Sequence, residues 1–167
     1  VVHDQPEGGV PAGKLGGEAY CHAYHRSFGV DVRIARLFSV YGVGMFRFAI
    51  HDIIRKIQQN HQELTILGDG LQVRDYLFID DAVRGLMMVA TEGAAGEEYN
   101  VASGIPVQLL DLARLIAELM GHPQIRIRTT GRSFAGDTAR WYADISKVRA
   151  LGFEPRVDLR SGLLQTI

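Results

Sequence analysis

Fourteen consecutive residues, Gly68-Asp69-Gly70-Leu71-Gln72-Val73-Arg74-Asp75-Tyr76-Leu77-Phe78-Ile79-Asp80-Asp81, restrict the fold more than any other part of the 167-residue chain. Gly68 and Gly70 allow a backbone bend that a side chain would obstruct, and Tyr76 to Ile79 are aromatic and β-branched residues suited to a strand. Asp80 or Asp81 is placed to cap a helix beginning at Ala82. The stretch therefore predicts a turn, a strand and a helix start in direct succession. Arg74 is not needed by that local scaffold. Its planar fork suits a diphosphate or a carboxylate, and equally a surface ion pair, and these residues alone leave both open.

The remainder reads as alternating strands and helices. Residues 1–13 hold three glycines and two prolines without apolar periodicity and predict an irregular arm, while residues 14–167 predict one domain. Lys14 to Phe28 reads as a helix stopped by Gly29, and Val30 to Phe38 as a strand with a buried inner end. Ser39 to Gly44 then form a loop. Phe46, Ala49, Ile50, Ile53, Ile54 and Ile57 repeat at helical spacing, as do Val83, Leu86, Met87 and Ala90, which are expected on the inner side of their helix. Short strands are expected at Leu64 to Leu67, Glu98 to Ala102 and Ile125 to Arg128, with helices at Pro106 to Met120, after Asp144, and from about Leu159. Alternation of this kind defines an α/β chain without internal repeats.

Composition narrows the partners. A net charge of -1 with both signs dispersed offers no basic surface for nucleic acid and no polybasic segment for a membrane. No apolar run reaches the length of a membrane span, and the first residues lack the pattern of a signal peptide. Because the first residue is valine, a missing initiator or a longer N-terminal region is compatible with this start. Cys21 has no second cysteine to pair with, so a reducing cytoplasm is the expected compartment. His22 and His25 share one helix face, but no third and fourth ligand follows at metal-site spacing, and no metal is expected. His51, His61 and His122 are isolated in polar surroundings and expected to be solvated. No Gly-x-Ser-x-Gly motif supports hydrolase chemistry.

Four ordered stretches carry a resemblance: Arg36 to Gly42, Gly68 to Asp81, Tyr99 to Gly104, and Tyr142 to Lys147 continuing through Gly152-Phe153-Glu154-Pro155. Their order and spacing resemble the C-terminal, substrate-binding half of the extended short-chain dehydrogenase/reductases, specifically the NAD-dependent nucleotide-sugar epimerases and dehydratases of the UDP-glucose 4-epimerase type. The resemblance implies an α/β fold that is the C-terminal portion of that family's fold. It also implies that the Gly-x-x-Gly-x-x-Gly turn of the NAD-binding Rossmann half is absent, since Gly8 and Gly9 have neither a preceding strand nor a suitable third glycine.

The same resemblance assigns site residues. Lys14 matches the family lysine that serves catalysis and cofactor binding, but the tyrosine expected four residues earlier is Val10. Valine has no proton to move. Arg74 resembles the diphosphate-binding arginine, and Asp137, with Gly136, matches a nucleotide-contacting stretch. Ser39 stands where the family has a substrate-side asparagine. Phe134 stands where that stretch has an arginine, and Arg132 lies two residues away. Together these imply a UDP- or dTDP-hexose as ligand, no NAD bound by this chain alone, and no independent catalysis. The alternative is a substrate-binding half that acts when a partner chain or preceding region supplies the Rossmann half. Either way the family's helical interface, and apolar faces left without cover, imply a homodimer or higher oligomer.

Overall fold

The computed structural model describes residues 9–132 and 138–167, and their side chains from residue 13 onward. Helix α1 (Gly9–Phe28) leads into strand β1 (Ile34–Leu37) and strand β2 (Ser39–Tyr41). Then follow α2 (Phe48–Gln59), β3 (Glu63–Ile66), β4 (Val73–Phe78), α3 (Ile79–Glu92), β5 (Glu98–Val101) and β6 (Pro106–Gln108). The chain closes with α4 (Leu109–Leu119), β7 (Arg126–Thr129), β8 (Arg140–Trp141), α5 (Ser146–Arg149) and α6 (Leu159–Thr166). The α/β class expected from the sequence holds.

β4 is the hub. It pairs in parallel with β2 and β8 and antiparallel with β6, while β1–β5 and β3–β7 form separate parallel pairs. Its pleat divides two cores. Tyr76 and Phe78 join Tyr41, Ile50, Ile53, Ile57, Leu112, Ile116 and Leu163 on one face, under α2, α4 and α6. Leu77 joins Ala82, Val89, Tyr99, Val101, Val148 and Phe153 on the other. A strand buried on both faces must be apolar almost throughout, as this one is after Asp75. The helices follow the same logic: Ile50, Ile53 and Ile57 of α2 are each fully enclosed, worth about 1.5–3 kcal/mol apiece.

Several boundaries and faces differ from the sequence expectation. α1 begins at Gly9, inside the segment expected to be irregular. Ser39–Tyr41 is a strand in register with Tyr76 to Phe78, not a loop, and the preceding strand is confined to Ile34–Leu37 with Leu37 exposed. Pro106–Gln108 is a short strand ahead of α4. Phe46 lies before α2 and is exposed, with the Arg47 guanidinium over its ring and over that of Phe48.

α3 shows the largest departure. The residues expected to face inward, Val83, Leu86, Met87 and Ala90, are all exposed. Ala82, Gly85 and Val89 face the sheet instead. Gly85 explains the choice: a Cβ there would collide with Val101 and meet the Phe153 ring at 3.1 Å, so only a small-residue stripe fits this close to β5. Asp81 also does not cap α3, whose N-cap is Phe78 without a side-chain bond. Buried in the first turn, Asp81 accepts from Arg84 and from the backbone amides of Arg156 (2.8 Å) and Val157 (2.9 Å), tying the approach to α6 onto the sheet.

Candidate functional site

The glycine turn and the first residues of β4 build the site. Gly70 has φ +82°, a conformation costly for other residues. Gly68 donates its N–H to the Arg132 carbonyl at 3.1 Å and to Thr130 Oγ1 at 3.1 Å, and accepts from the Gly131 N–H at 2.8 Å. These bonds pin the backbone of Arg132 against the turn although sixty-odd residues separate them. Arg74, the second residue of β4, is half-buried, and its Nη1 donates to the Val73 carbonyl at 2.8 Å. The local scaffold therefore does hold this arginine, contrary to the sequence expectation.

Register decides what lies beside it. Arg74 is the Cα partner of Trp141 on β8 and of Val107 on β6. Ser39 is the partner of Tyr76, two residues along β4, so Ser39 and Arg74 share a face of the sheet. Trp141 is half exposed and packs on Phe38 at 5.8 Å between ring centroids. The result is a guanidinium one residue into β4, level with Trp141 on β8 in the strand register and on the Ser39 face of its own strand. Such a group offers bidentate, charge-assisted bonds to an anion such as a diphosphate. Asp75, on the opposite face, is enclosed among backbone donors and takes no part in this mouth.

The phenols near this site are not acid–base candidates. Burial pushes the Tyr76 hydroxyl up to about 12, with the Arg74 charge pulling weakly the other way. Burial raises Tyr41 further still, helped by the Asp158 and Asp81 charges. Both stay protonated through the physiological range, and Tyr41 Oη donates to the Leu159 carbonyl as a structural contact.

Lys14 lies on α1, exposed, and makes no hydrogen bond or ion pair among the described residues. Tyr20 and Tyr24 follow it by six and ten residues and are also exposed. With valine at position 10, the position four residues before Lys14 carries no phenol. Phe134, Gly136 and Asp137 lie outside the described residues, as do all but the last five of the residues expected to form the arm.

Other candidate groups serve packing. His22 sits 3.8 Å from Glu98, and His25 Nδ1 donates to the Val30 carbonyl at 2.8 Å. His61 and His122, expected to be isolated, stack on each other with centroids 4.3 Å apart. No group of three or more metal-ligating side chains occurs among the described residues, and none of their helices is long and apolar enough to cross a membrane. An open groove of about 560 Å³ between α4 and β7, floored by Leu110, Ile125 and Ile127, does not include Arg74, Ser39 or Arg132.

Parallel strand pairs with helices packed on them define an α/β protein. The chain belongs to the NAD dependent epimerase/dehydratase family, whose profile matches residues 5–102. It is 34% identical over 165 residues to a dTDP-glucose 4,6-dehydratase of Streptomyces griseus, covering 98% of this chain and 50% of that one. It is also 34% identical over 157 residues to an uncharacterized UDP-glucose epimerase of Bacillus subtilis, covering 92% of this chain and 49% of that protein. Among solved structures, a Streptomyces venezuelae dTDP-glucose 4,6-dehydratase with NAD and TYD bound superposes with a TM-score of 0.83 at 30% identity, over 93% of this chain and 48% of that one. A Bacillus cereus UDP-glucuronic acid 4-epimerase in complex with UDP-glucuronic acid and NAD gives 0.82 at 33%, over 92% and 49%. The chain thus spans about half the length of the curated relatives it matches, in agreement with its resemblance to a C-terminal half.

Proposed function

We propose that this chain is the nucleotide-sugar-binding portion of an epimerase/dehydratase-type protein, holding a UDP- or dTDP-hexose by its diphosphate at Arg74, and that alone it neither binds NAD nor turns substrate over. The observation that carries this is the placement of Arg74 at the start of β4, soon after the Gly68–Gly70 turn, in register with Trp141 and on the face of Ser39. Arg132 and Asp137 are the further residues on the nucleotide side in this proposal. Val10 supports the second half of it, because the position four residues before Lys14 carries no acid or base.

The test is a thermal-shift and calorimetry panel of UDP-glucose, UDP-glucuronic acid and dTDP-glucose, each with and without NAD. At least one nucleotide sugar is expected to bind and raise the unfolding temperature, with no further rise from NAD and no product formed. Failure of every nucleotide sugar to bind, or epimerisation or dehydration by the pure chain, overturns the proposal.

A homodimer through α1 forms part of the same proposal. This helix turns its polar side to the sheet: Glu18 takes a bidentate pair from Arg36 at 2.8 and 2.6 Å, beside Glu98. Its aromatic stripe, Tyr20, Tyr24 and Phe28, faces outward, with Tyr20 71% and Phe28 73% exposed. An exposed stripe of this kind is normally covered. Light scattering is expected to give a dimer that becomes monomeric on Tyr24→Asp, and a wild-type monomer at micromolar concentration would remove this part of the proposal.

A further inference from the structure

β3 and β7 run parallel and in register, with Ile66 opposite Thr129 at their ends, so both strands open into their next loops on the same side. One loop is the Gly68–Gly70 turn that leads to Arg74, and the other is Thr130-Gly131-Arg132. In open α/β sheets, ligands bind in the crevice outside the carboxyl ends of the strands.

Thr130 joins the two loops. Its hydroxyl oxygen accepts from the Gly68 N–H at 3.1 Å and from the Arg132 N–H at 3.4 Å, and its proton is donated to the Arg132 carbonyl at 3.1 Å. One proton and two lone pairs are all that a hydroxyl has, so this one is fully engaged within the two loops. The Thr130 N–H donates to the Ile66 carbonyl at 3.1 Å, which carries the β3–β7 ladder one residue past its end. Thr130 is itself exposed, so no burial requirement forces these bonds; water would satisfy the same hydroxyl.

Arg132 is the residue that the clasp fixes. Its backbone is held at both N–H and C=O, yet its side chain is exposed and its guanidinium has no hydrogen bond or ion pair among the described residues. Arg114, Arg128 and Arg160, also exposed, each have a carboxylate within 3.2 Å. A cation on a fixed backbone with an unengaged head has less freedom to lose when it meets an anion. Resting on the nucleotide-sugar reading above, we propose that Thr130 is a positioning residue of the diphosphate site. Its hydroxyl sets the second loop against the glycine turn, so that Arg132 engages from that loop the same diphosphate that Arg74 engages from β4.

The experiment measures the affinity of the full chain for UDP-glucose, UDP-glucuronic acid and dTDP-glucose by calorimetry. Wild type is compared with Thr130→Val, Thr130→Ser, Arg132→Ala and the double variant Thr130→Val with Arg132→Ala. Valine keeps the β-branched shape without the hydroxyl, and serine keeps the hydroxyl. Thr130→Val is expected to weaken binding by about 3- to 10-fold, the effect of losing one or two hydrogen bonds, and Thr130→Ser to restore it. Because Thr130 acts through Arg132, Thr130→Val is expected to add nothing once Arg132 is alanine, and to flatten the salt dependence of binding as Arg132→Ala does. A merely structural hydroxyl would lower affinity by the same factor in both backgrounds. Equal affinity of wild type and Thr130→Val, additive losses in the double variant, or no rescue by serine overturns the inference and leaves the ligand reading in place. Failure of wild type to bind any of the three sugars overturns the reading, and the inference with it.

Discussion

Replacing Asp75 with alanine is expected to remove a large share of the protein's stability. The carboxylate is 0% exposed, and its Oδ1 accepts from the Ser103 N–H at 2.8 Å and the Ser103 hydroxyl at 2.6 Å. Its Oδ2 accepts from the Gly104 N–H at 2.9 Å and, more weakly, from Ala143 at 3.4 Å. One side chain thus fastens β4 to the turn between β5 and β6 and to the segment after β8. Alanine leaves those donors buried without an acceptor, at roughly 1–3 kcal/mol each, so a loss of about 3–5 kcal/mol follows. Against a total of about 5–15 kcal/mol, that lowers Tm by roughly 6–20 °C for a domain of this size. Asp75→Asn is expected to fall between, because one oxygen remains but an NH₂ group now meets an N–H donor. Urea melts in which Asp75→Ala and wild type share a midpoint would show that these bonds are not what holds the three segments together.

The same residue marks how far the sequence could be read. The turn, β4, α4 and the last helix were all legible, because glycine conformation, alternation and helical apolar stripes act locally; the α6 cap, Asp158 accepting from Ser161 N at 2.9 Å, is also a neighbour effect but was not read from the sequence. What escaped was set by long-range contacts. Asp75 and Asp81 look like ordinary strand and cap residues until the amides of residues 103–104 and 156–157 arrive. Ser39–Tyr41 reads as a loop because only pairing with Tyr76 to Phe78 makes it a strand. His61 and His122 meet only because two separate loops converge.

The reversed face of α3 is the most instructive miss. Periodicity finds an apolar stripe but cannot say whether the larger or the smaller one packs inward. Here the distance to β5 decides, and Gly85 fixes that distance. α1 repeats the lesson with charges: a half-buried bidentate pair between Glu18 and Arg36 turns the polar side in and the aromatic side out. Both helices carry their more apolar face outward, and both such faces are expected to be covered in the working assembly. For the site, Arg74 and Ser39 were legible as candidates; their shared sheet face, Trp141 in register with the arginine and Arg132 against the glycine turn were not, since each depends on long-range pairing.

Arg74→Ala is expected to weaken nucleotide-sugar binding by roughly 10- to 100-fold, about 1.4–2.8 kcal/mol, the range for losing hydrogen bonds from a charged group to a diphosphate. The loss should appear equally with UDP-glucose and dTDP-glucose, because the two share the diphosphate and differ in the base. Arg74→Lys keeps the charge but not the planar fork, so an intermediate loss is expected. Raising the salt concentration should weaken wild-type binding and affect Arg74→Ala less, since screening acts on the charge that the variant has lost. Arg114→Ala supplies the control: this exposed arginine on α4 pairs with Asp111 at 3.2 Å, away from the site, and its removal should leave affinity unchanged. Equal affinity of wild type and Arg74→Ala in calorimetry, with the fold intact by circular dichroism, would place the diphosphate elsewhere. The tether to the Val73 carbonyl makes that outcome a sharp one, because an arginine already fixed at the strand mouth has little conformational freedom left to lose on meeting an anion.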